Sequence, residues 1–360
     1  MIGGYAQVGV PIGTGSSAVT PPGGYAAEIK IGGPGIVGLV RNLYLLPSSP
    51  LEELKKLLPE DPAGYTWRDG VPPQAQVEYD PGMSPADAAF LARSSGIAIV
   101  FALRVEGEGY DNPDLSLPWG QDALIEAVAA ANPNTIVVLE TGNPVAMPWR
   151  DRVRAIVEAW HPGQAGGQAI AEILTGTVNP SGRLPITFPA SLAQTPRPEL
   201  PGLGTPWGTP TTIRYDEAAD VGYRWFAKTG AQPLYAFGHG LSYTSFGYSD
   251  LQIEGGDTIT ATFTVTNTGE RDGADIPQLY LTEAAGGQRM RLIGFQRVQL
   301  QPAQARRVTT KSDPRLLARF DADPGQWRIT EGTHRIALGK AADNLVLTAE
   351  AQLTGRLFGA

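Results

Sequence analysis

The sequence predicts an α/β unit, a mostly parallel sheet sandwiched by helices, followed by an all-β sandwich. Two observations carry this. Between residues 95 and 190, short runs that are apolar throughout alternate with amphipathic helical stretches. Strands without polar alternation are buried on both faces, as in a parallel sheet covered by helices. From about residue 249 the texture changes to short alternating segments separated by turn residues, the pattern of an antiparallel sandwich of about 100 residues.

The elements can be justified in order. "GIAIVFAL" (96–103) is a continuous apolar run of strand length, and "GQDALIEAVAAA" (120–131) places Leu124, Ile125 and Val128 on one helical face. "NTIVVLE" (134–140) and "AIVEAW" (155–160) read as two further buried strands, and "GQAIAEILTG" (167–176) as a helix closed by Gly176. "DTITATFTVTNTGE" (257–270) alternates strictly and ends in a turn, and "IPQLYLTE", "RLIGFQRVQL", "ARRVTTKS", "WRITEG", "THRIALGK" and "NLVLTAEAQL" follow at short intervals. The predicted organisation is therefore an α/β domain at 1–190, a linker at 191–248 packed on both domains, and a β-sandwich at 249–360. The linker contains "TPRPELPGLGTPWGTPTT", yet Tyr215, Tyr223, Trp225, Tyr235, Phe237 and Tyr243 make it too aromatic for a plain spacer. No internal repeat is evident.

Bulk properties bound the function. A length of 360 residues favours two domains. The net charge of −8 argues against nucleic acid, whose binders carry a basic face, and fits a neutral or cationic small molecule. No apolar run approaches the roughly 20 residues of a membrane span. Cysteine is absent, which excludes disulfides, thiolate catalysis and cysteine metal sites and leaves the compartment undetermined. "MIGGYAQVGV" has neither a basic n-region nor an apolar h-region, so this chain shows no secretory signal; a periplasmic or secreted parent protein stays open. His161, His239 and His334 lack ligand-like spacing, so no histidine-built metal site and no cofactor are expected. His161 reads as a polar residue at a strand end and His239 as a structural hydrogen-bonder. Trp119, Trp149 and Trp160 could stack on a ligand ring, although packing is the commoner fate of tryptophan.

Chemistry concentrates in "RVEGEGYDNPD" (104–114), where Glu106 and Glu108 alternate with glycines directly after a predicted buried strand. Two readings stand for these residues alone. One is a solvated acidic loop. In the other, glycines let the backbone approach a ligand and Glu108, partly desolvated beside Glu106, has a raised pKa suited to a general acid. Asp111 is either a turn residue ahead of Pro113 or an organiser of the loop through backbone amides. "GTGSS" (13–17) is either a serine-capped glycine turn or part of a binding wall. Ser16 or Ser17 as a hydrolase nucleophile lacks the Gly-x-Ser-x-Gly elbow.

Several stretches, in order, resemble glycoside hydrolase family 3, the β-glucosidase and β-xylosidase family. They are "GTGSSAVTPPGG", "EGEGYDNPDLSLPWGQDALIEAVAAANPNTIVVLETGNPVAMPW", "AWHPGQAGGQAIAEILTGTVNPSGRLPITFP" and "RYDEAADVGYRWF…PLYAFGHGLSYTSF". The last third, with "VTNTGERDGADIPQLYL", resembles that family's fibronectin type III-like domain. The resemblance implies a retaining glycosidase in which a barrel supplies an aspartate nucleophile and the α/β domain supplies the acid/base glutamate. It assigns the acid/base to Glu108, the surrounding loop to Glu106 and Asp111, and a wall of the sugar site or of the barrel interface to Ser16 and Ser17, with no metal and no cofactor. It implies that the barrel, and with it the nucleophile, is absent from this chain, and that the first strand is clipped at Met1. The chain would then be a fragment, a split-gene product or the product of an internal start. Its expected partners are a β-linked glucoside or other small glycoside and a barrel in trans or a second copy, and not nucleic acid or a membrane. Two positions depart from the family pattern: Asn112 stands where arginine is usual, and Ala165 where an acidic residue is usual. The competing readings are a non-catalytic carbohydrate-binding accessory protein and a hydrolase of another bond, such as an ester.

Overall fold

The computed structural model describes residues 1–14, 20–32, 42–58, 77–108, 112–206, 208–285 and 287–359, without the side chains at 288 and 289. The expected roles of Ser16, Ser17 and Asp111 therefore lie outside the described residues. By internal contacts the chain divides into two compact units, Met1–Val178 and Asn179–Ala360.

The first unit runs β1 (Val10–Ile12), β2 (Ala27–Lys30), β3 (Asn42–Leu46), α1 (Pro50–Leu57), α2 (Pro85–Ser94), β4 (Ala98–Leu103), α3 (Gln121–Ala131), β5 (Thr135–Glu140), β6 (Ala155–Glu158) and α4 (Gly166–Thr175). Strands β4, β5 and β6 form a parallel sheet in that order. The parallel pairing follows from residue type. Val100, Phe101, Ala102, Leu103, Val137, Val138 and Leu139 are fully buried, which requires cover on both faces. Helix α3 buries Leu124, Ile125 and Val128, the face its spacing predicts. Phe101 and Val138 pack with Ala6, Val10, Leu46 and Ile170 into one core cluster.

A second sheet, antiparallel with order β1-β3-β2, precedes the parallel one; the sequence reading had not resolved it. Helix α1 begins on chemically apt residues. Ser49 accepts from the Glu52 amide at 3.2 Å, and Pro50 occupies the first turn, where its missing N–H costs nothing. Gly176, in the left-handed region, closes α4 as expected.

One strand is shorter than its apolar run. "AIVEAW" pairs only over Ala155–Glu158, because Trp160 takes a positive φ of 55°, outside the range of a strand.

The second unit holds α5 (Tyr223–Thr229), β7 (Phe246–Glu254), β8 (Thr260–Asn267), β9 (Gly273–Asp275), β10 (Gln278–Ala284), β11 (Gly287–Phe295), β12 (Val298–Leu300), β13 (Ala305–Lys311), α6 (Pro314–Leu317), β14 (Arg319–Asp321), β15 (Gln326–Ile329), β16 (Gly332–Ala341), β17 (Asn344–Leu353) and β18 (Arg356–Phe358). The sheets β11-β10-β16-β17 and β13-β8-β7, all antiparallel, enclose a core that includes Phe263, Val265, Leu279, Leu281, Ile336 and Leu338. In β8 buried and half-buried positions alternate along the whole strand, which is the period of two that its sequence announces. The run "RLIGFQRVQL" splits into the end of β11 and the separate β12, which pairs with β9 instead.

Candidate functional site

Parallel pairing puts the carboxyl ends of β4, β5 and β6 at one edge, the edge where sheets of this kind bind ligands. The register sets Leu103 beside Glu140 and Leu139 beside Glu158. The three segments leaving this edge begin at Arg104, Thr141 and Ala159, so the residues just beyond the strands converge.

The segment after β4 is tied down on one side by Thr14. Thr14 N–H donates to the Glu106 carbonyl at 3.0 Å, and Glu108 N–H donates to the Thr14 carbonyl at 3.0 Å. Gly107 sits between these bonds. A Cβ there would run into Thr14 Oγ1, so the close approach of the two backbones requires glycine. The sequence leads one to expect Glu108 partly desolvated, but Glu108 is exposed; the burial falls instead on Glu106, which is 7% exposed.

Donors surround the Glu106 carboxylate. Asn143 Nδ2 donates to Oε2 at 2.9 Å, and Asn112 Nδ2 donates to Oε1 at 3.4 Å. The Gly142 amide also donates, and Arg104 Nε lies 3.9 Å from Oε1. Burial pushes the Glu106 pKa up, while Arg104, Asn143 and Gly142 pull against it. A Cβ on Gly142 would overlap Glu106 Oε2, which explains a glycine there. Arg104, 4% exposed, reaches past Glu106 to donate to the Asp114 carbonyl and lies 3.8 Å from that residue's Oδ1.

Two further glutamates close the strand ends. Glu140 is fully buried, and neither carboxyl oxygen has a hydrogen-bond partner among the described residues. Burial, reinforced by Glu158, raises its pKa well above the ordinary value. Glu158 accepts from the Trp160 amide at 3.0 Å and lies 3.5 Å from Thr141 Oγ1. Burial outweighs these donors and pushes its pKa to about 8, with a smaller push from Glu106. The His161 ring lies close to Gly13 and Gly142. Its Nε2 is buried without a partner among the described residues, and burial lowers its pKa, favouring the neutral ring.

Of the residues singled out in the sequence, Glu106 and Glu108 thus come together, with His161 alongside. The other histidines lie elsewhere. The His239 ring stacks near Tyr235, with centroids 5.1 Å apart, and His334 is buried in β16. Trp149 is fully buried and donates to Asp122 at 2.8 Å, which is a packing role; Trp119 is exposed and Trp160 half-buried. Sequence reasoning passed over Arg104, Glu140, Asn143 and Glu158. One signal was available: Glu140 and Glu158 are charged residues ending apolar strand runs at the edge where parallel sheets carry their sites.

Among the described residues no group of three or more histidine, cysteine, aspartate or glutamate side chains could hold a metal ion. No helix there is long and apolar enough to cross a membrane. The arrangement offers an exposed Glu108 on a braced backbone and, at the same sheet edge, a buried acidic cluster.

Comparison with known proteins agrees with this architecture. Residues 1–243 match the glycosyl hydrolase family 3 C-terminal domain, and residues 275–342 match a fibronectin type III-like domain. The thermostable beta-glucosidase B of Acetivibrio thermocellus is 39% identical over 272 residues, covering 72% of this chain and 35% of that protein. A beta-glucosidase of Rhizobium radiobacter is 40% identical over 272 residues, covering 71% of this chain and 32% of that protein. Among solved structures, the beta-glucosidase DesR of Streptomyces venezuelae, in complex with D-glucose, superposes with a TM-score of 0.68 at 40% identity, over 75% of this chain and 35% of that one. Beta-glucosidase 3B of Thermotoga neapolitana, in complex with alpha-D-glucose, gives a TM-score of 0.75 at 28% identity, over 100% of this chain and 51% of that one. The chain spans about a third of the length of the curated relatives it matches. With both family models matched in order, the chain belongs to glycosyl hydrolase family 3, of which it carries the C-terminal domain and the fibronectin type III-like domain.

Proposed function

We propose that the chain contributes the acid/base half of a β-glucosidase-type retaining active site, with Glu108 as the acid/base. The observation that carries this reading is the family match across the Gly-Glu-Gly segment, together with Glu108 lying exposed just past the carboxyl end of β4. In retaining hydrolysis a carboxylate attacks the anomeric carbon while the leaving oxygen departs with a proton from the acid. Glu108 would donate that proton, then take one from the water that releases the sugar. The nucleophile comes, on this reading, from a barrel domain, whether on the same polypeptide or supplied in trans or by a second copy. The substrate is a small β-linked glucoside or related glycoside, and neither nucleic acid nor a membrane takes part.

Alone the chain should hydrolyse glycosides poorly or not at all, so the test is hydrolysis of aryl β-glucosides and aryl acetates, with and without the nucleophile-bearing barrel, by the wild type, Glu108→Ala and the double variant Ser16→Ala/Ser17→Ala. Glu108→Ala is expected to lose about 10²–10⁴-fold in glucoside turnover, the usual contribution of general acid–base catalysis. Glycosidase activity that survives Glu108→Ala overturns the assignment. Sugar binding without turnover points to an accessory protein, and esterase activity lost only with the serines points to ester hydrolysis.

A further inference from the structure

Glu106 stands two residues from Glu108, buried, and takes donors from several separate segments of the chain. Its Oε2 takes Asn143 Nδ2 at 2.9 Å from the segment after β5, and its Oε1 takes Asn112 Nδ2 at 3.4 Å from the far side of the loop. Its backbone carbonyl takes Thr14 N–H at 3.0 Å from the segment after β1. Arg104 makes a second, outer rung from 104 to Asp114. Glu108 lies within the span of chain that the inner rung closes, and its own amide is held by Thr14.

From this bracing we infer that Glu106 is the positioning residue of the Glu108 loop: it joins 104–108 to Asn112, Asn143 and Thr14 and so fixes where Glu108 stands. The inference rests on the acid/base reading of Glu108. Glu106 does not touch the reacting atoms; it acts through the backbone it anchors. An acceptor fits here because the Gly142 amide and Arg104 offer only N–H groups, and Asn112 and Asn143 turn theirs toward it. Glu106→Gln keeps the shape but turns one accepting oxygen into a donor that faces other donors, so the bracing is broken with little change in packing.

A merely structural defect would slow all substrates alike, whereas a displaced acid is felt most where the leaving group needs a proton. The test therefore compares kcat/KM for dinitrophenyl and phenyl β-glucosides, with the nucleophile-bearing barrel present, in the wild type, Glu106→Gln and Glu108→Gln. Both variants are expected to lose activity selectively on the phenyl substrate, Glu106→Gln by about ten- to a hundredfold, the scale of a misplaced catalytic group. Selectivity in Glu108→Gln with a uniform or absent effect in Glu106→Gln overturns the positioning role and leaves the acid/base reading standing. No selectivity in Glu108→Gln overturns that reading itself. Hydrogen exchange on the chain gives a readout that needs no turnover. Glu106→Gln should speed exchange of the Glu108 amide about tenfold or more while the β4 amides and the sandwich unit stay unchanged. Unchanged protection at Glu108 overturns the inference as well.

Discussion

Asp275 in the sandwich unit and Glu140 in the α/β unit are both carboxylates removed from water, and the structure serves them differently. Asp275, 2% exposed, has both oxygens engaged, by Arg183 Nη2 at 2.5 Å and by the Tyr248 hydroxyl at 2.6 Å. Glu140 is at 0% exposure with neither oxygen hydrogen-bonded among the described residues, and its neighbour Glu158 is another acid. A buried charge that is paired holds a fold together only while both partners remain. A buried acid without a donor keeps its proton instead and costs stability wherever that proton would otherwise leave. The sandwich follows the first rule. The α/β unit departs from it at the carboxyl end of its parallel sheet, beside the loop that carries Glu108. Perturbed acids concentrate where chemistry is done, and both unpaired acids stand at the strand ends beside the Glu108 loop.

The sharpest way to break the comparison is to remove the paired acid. Asp275→Ala leaves Arg183, 11% exposed at its side chain, with no carboxylate in place of Asp275, and Tyr248 without its acceptor. The expected loss is about 3–5 kcal/mol, the usual cost of stranding one half of a buried pair. Urea unfolding followed by a sandwich signal checks it, with Tyr248→Phe as a milder control near 1 kcal/mol. A loss below about 1 kcal/mol would mean that the Asp275 pair is not structural.

Removing the unpaired acids should do the opposite, and with a pH signature. Burial raises Glu140 well above the ordinary carboxylate value, and Glu158 from 4.5 to about 8. In the fold these groups keep protons that the unfolded chain has already released. The stability contribution of Glu158 is therefore full below about pH 4.5, falls as the pH rises through about 8, and is level beyond. Glu158→Gln carries no titrating proton, so it should gain on the wild type across that window, by several kcal/mol at alkaline pH. Glu140→Gln should shift in the same direction. Unfolding midpoints at pH 5 and pH 9 decide the matter: parallel curves for wild type and variant would show that neither acid is held protonated by the fold.

How much of this was legible in the sequence depends on what the residues encode locally. The sheet strands, α3, and α4 with its Gly176 stop were readable, because period and punctuation are local properties. So was the alternation of β8. The limits of "AIVEAW" were not, since the positive φ at Trp160 is set by the turn into His161 and leaves no mark in composition. At the site, "EGEG" pointed to two glutamates but could not say which one the fold buries; that follows from Thr14 closing over Gly107, a contact across more than ninety residues. Glu140 and Glu158 were harder still. Each ends an apolar run, and only the parallel register, with Leu103 beside Glu140 and Leu139 beside Glu158, brings them to one edge. The departure at Asn112 also changed meaning. Where the family resemblance expects arginine, a neutral amide here bonds Glu106, and the nearby buried cation is Arg104.

The smallest predicted effect tests whether water is what separates the two kinds of ion pair. Arg335 on β16 lies between Glu283 on β10 and Glu350 on β17, with contacts of 2.9 Å and 3.3 Å, and the register sets the three side by side. The chemistry is that of Arg183 and Asp275, and the unit is the same. Here, however, the side chains are 52%, 48% and 56% exposed. Solvent screening and the ordering of long side chains then cancel most of the attraction. Arg335→Ala should cost less than about 1 kcal/mol, and less again in 1 M salt, by the same urea measurement. If it costs as much as Asp275→Ala, burial is not what gives the Arg183 pair its strength, and setting Asp275 against Glu140 loses its physical basis.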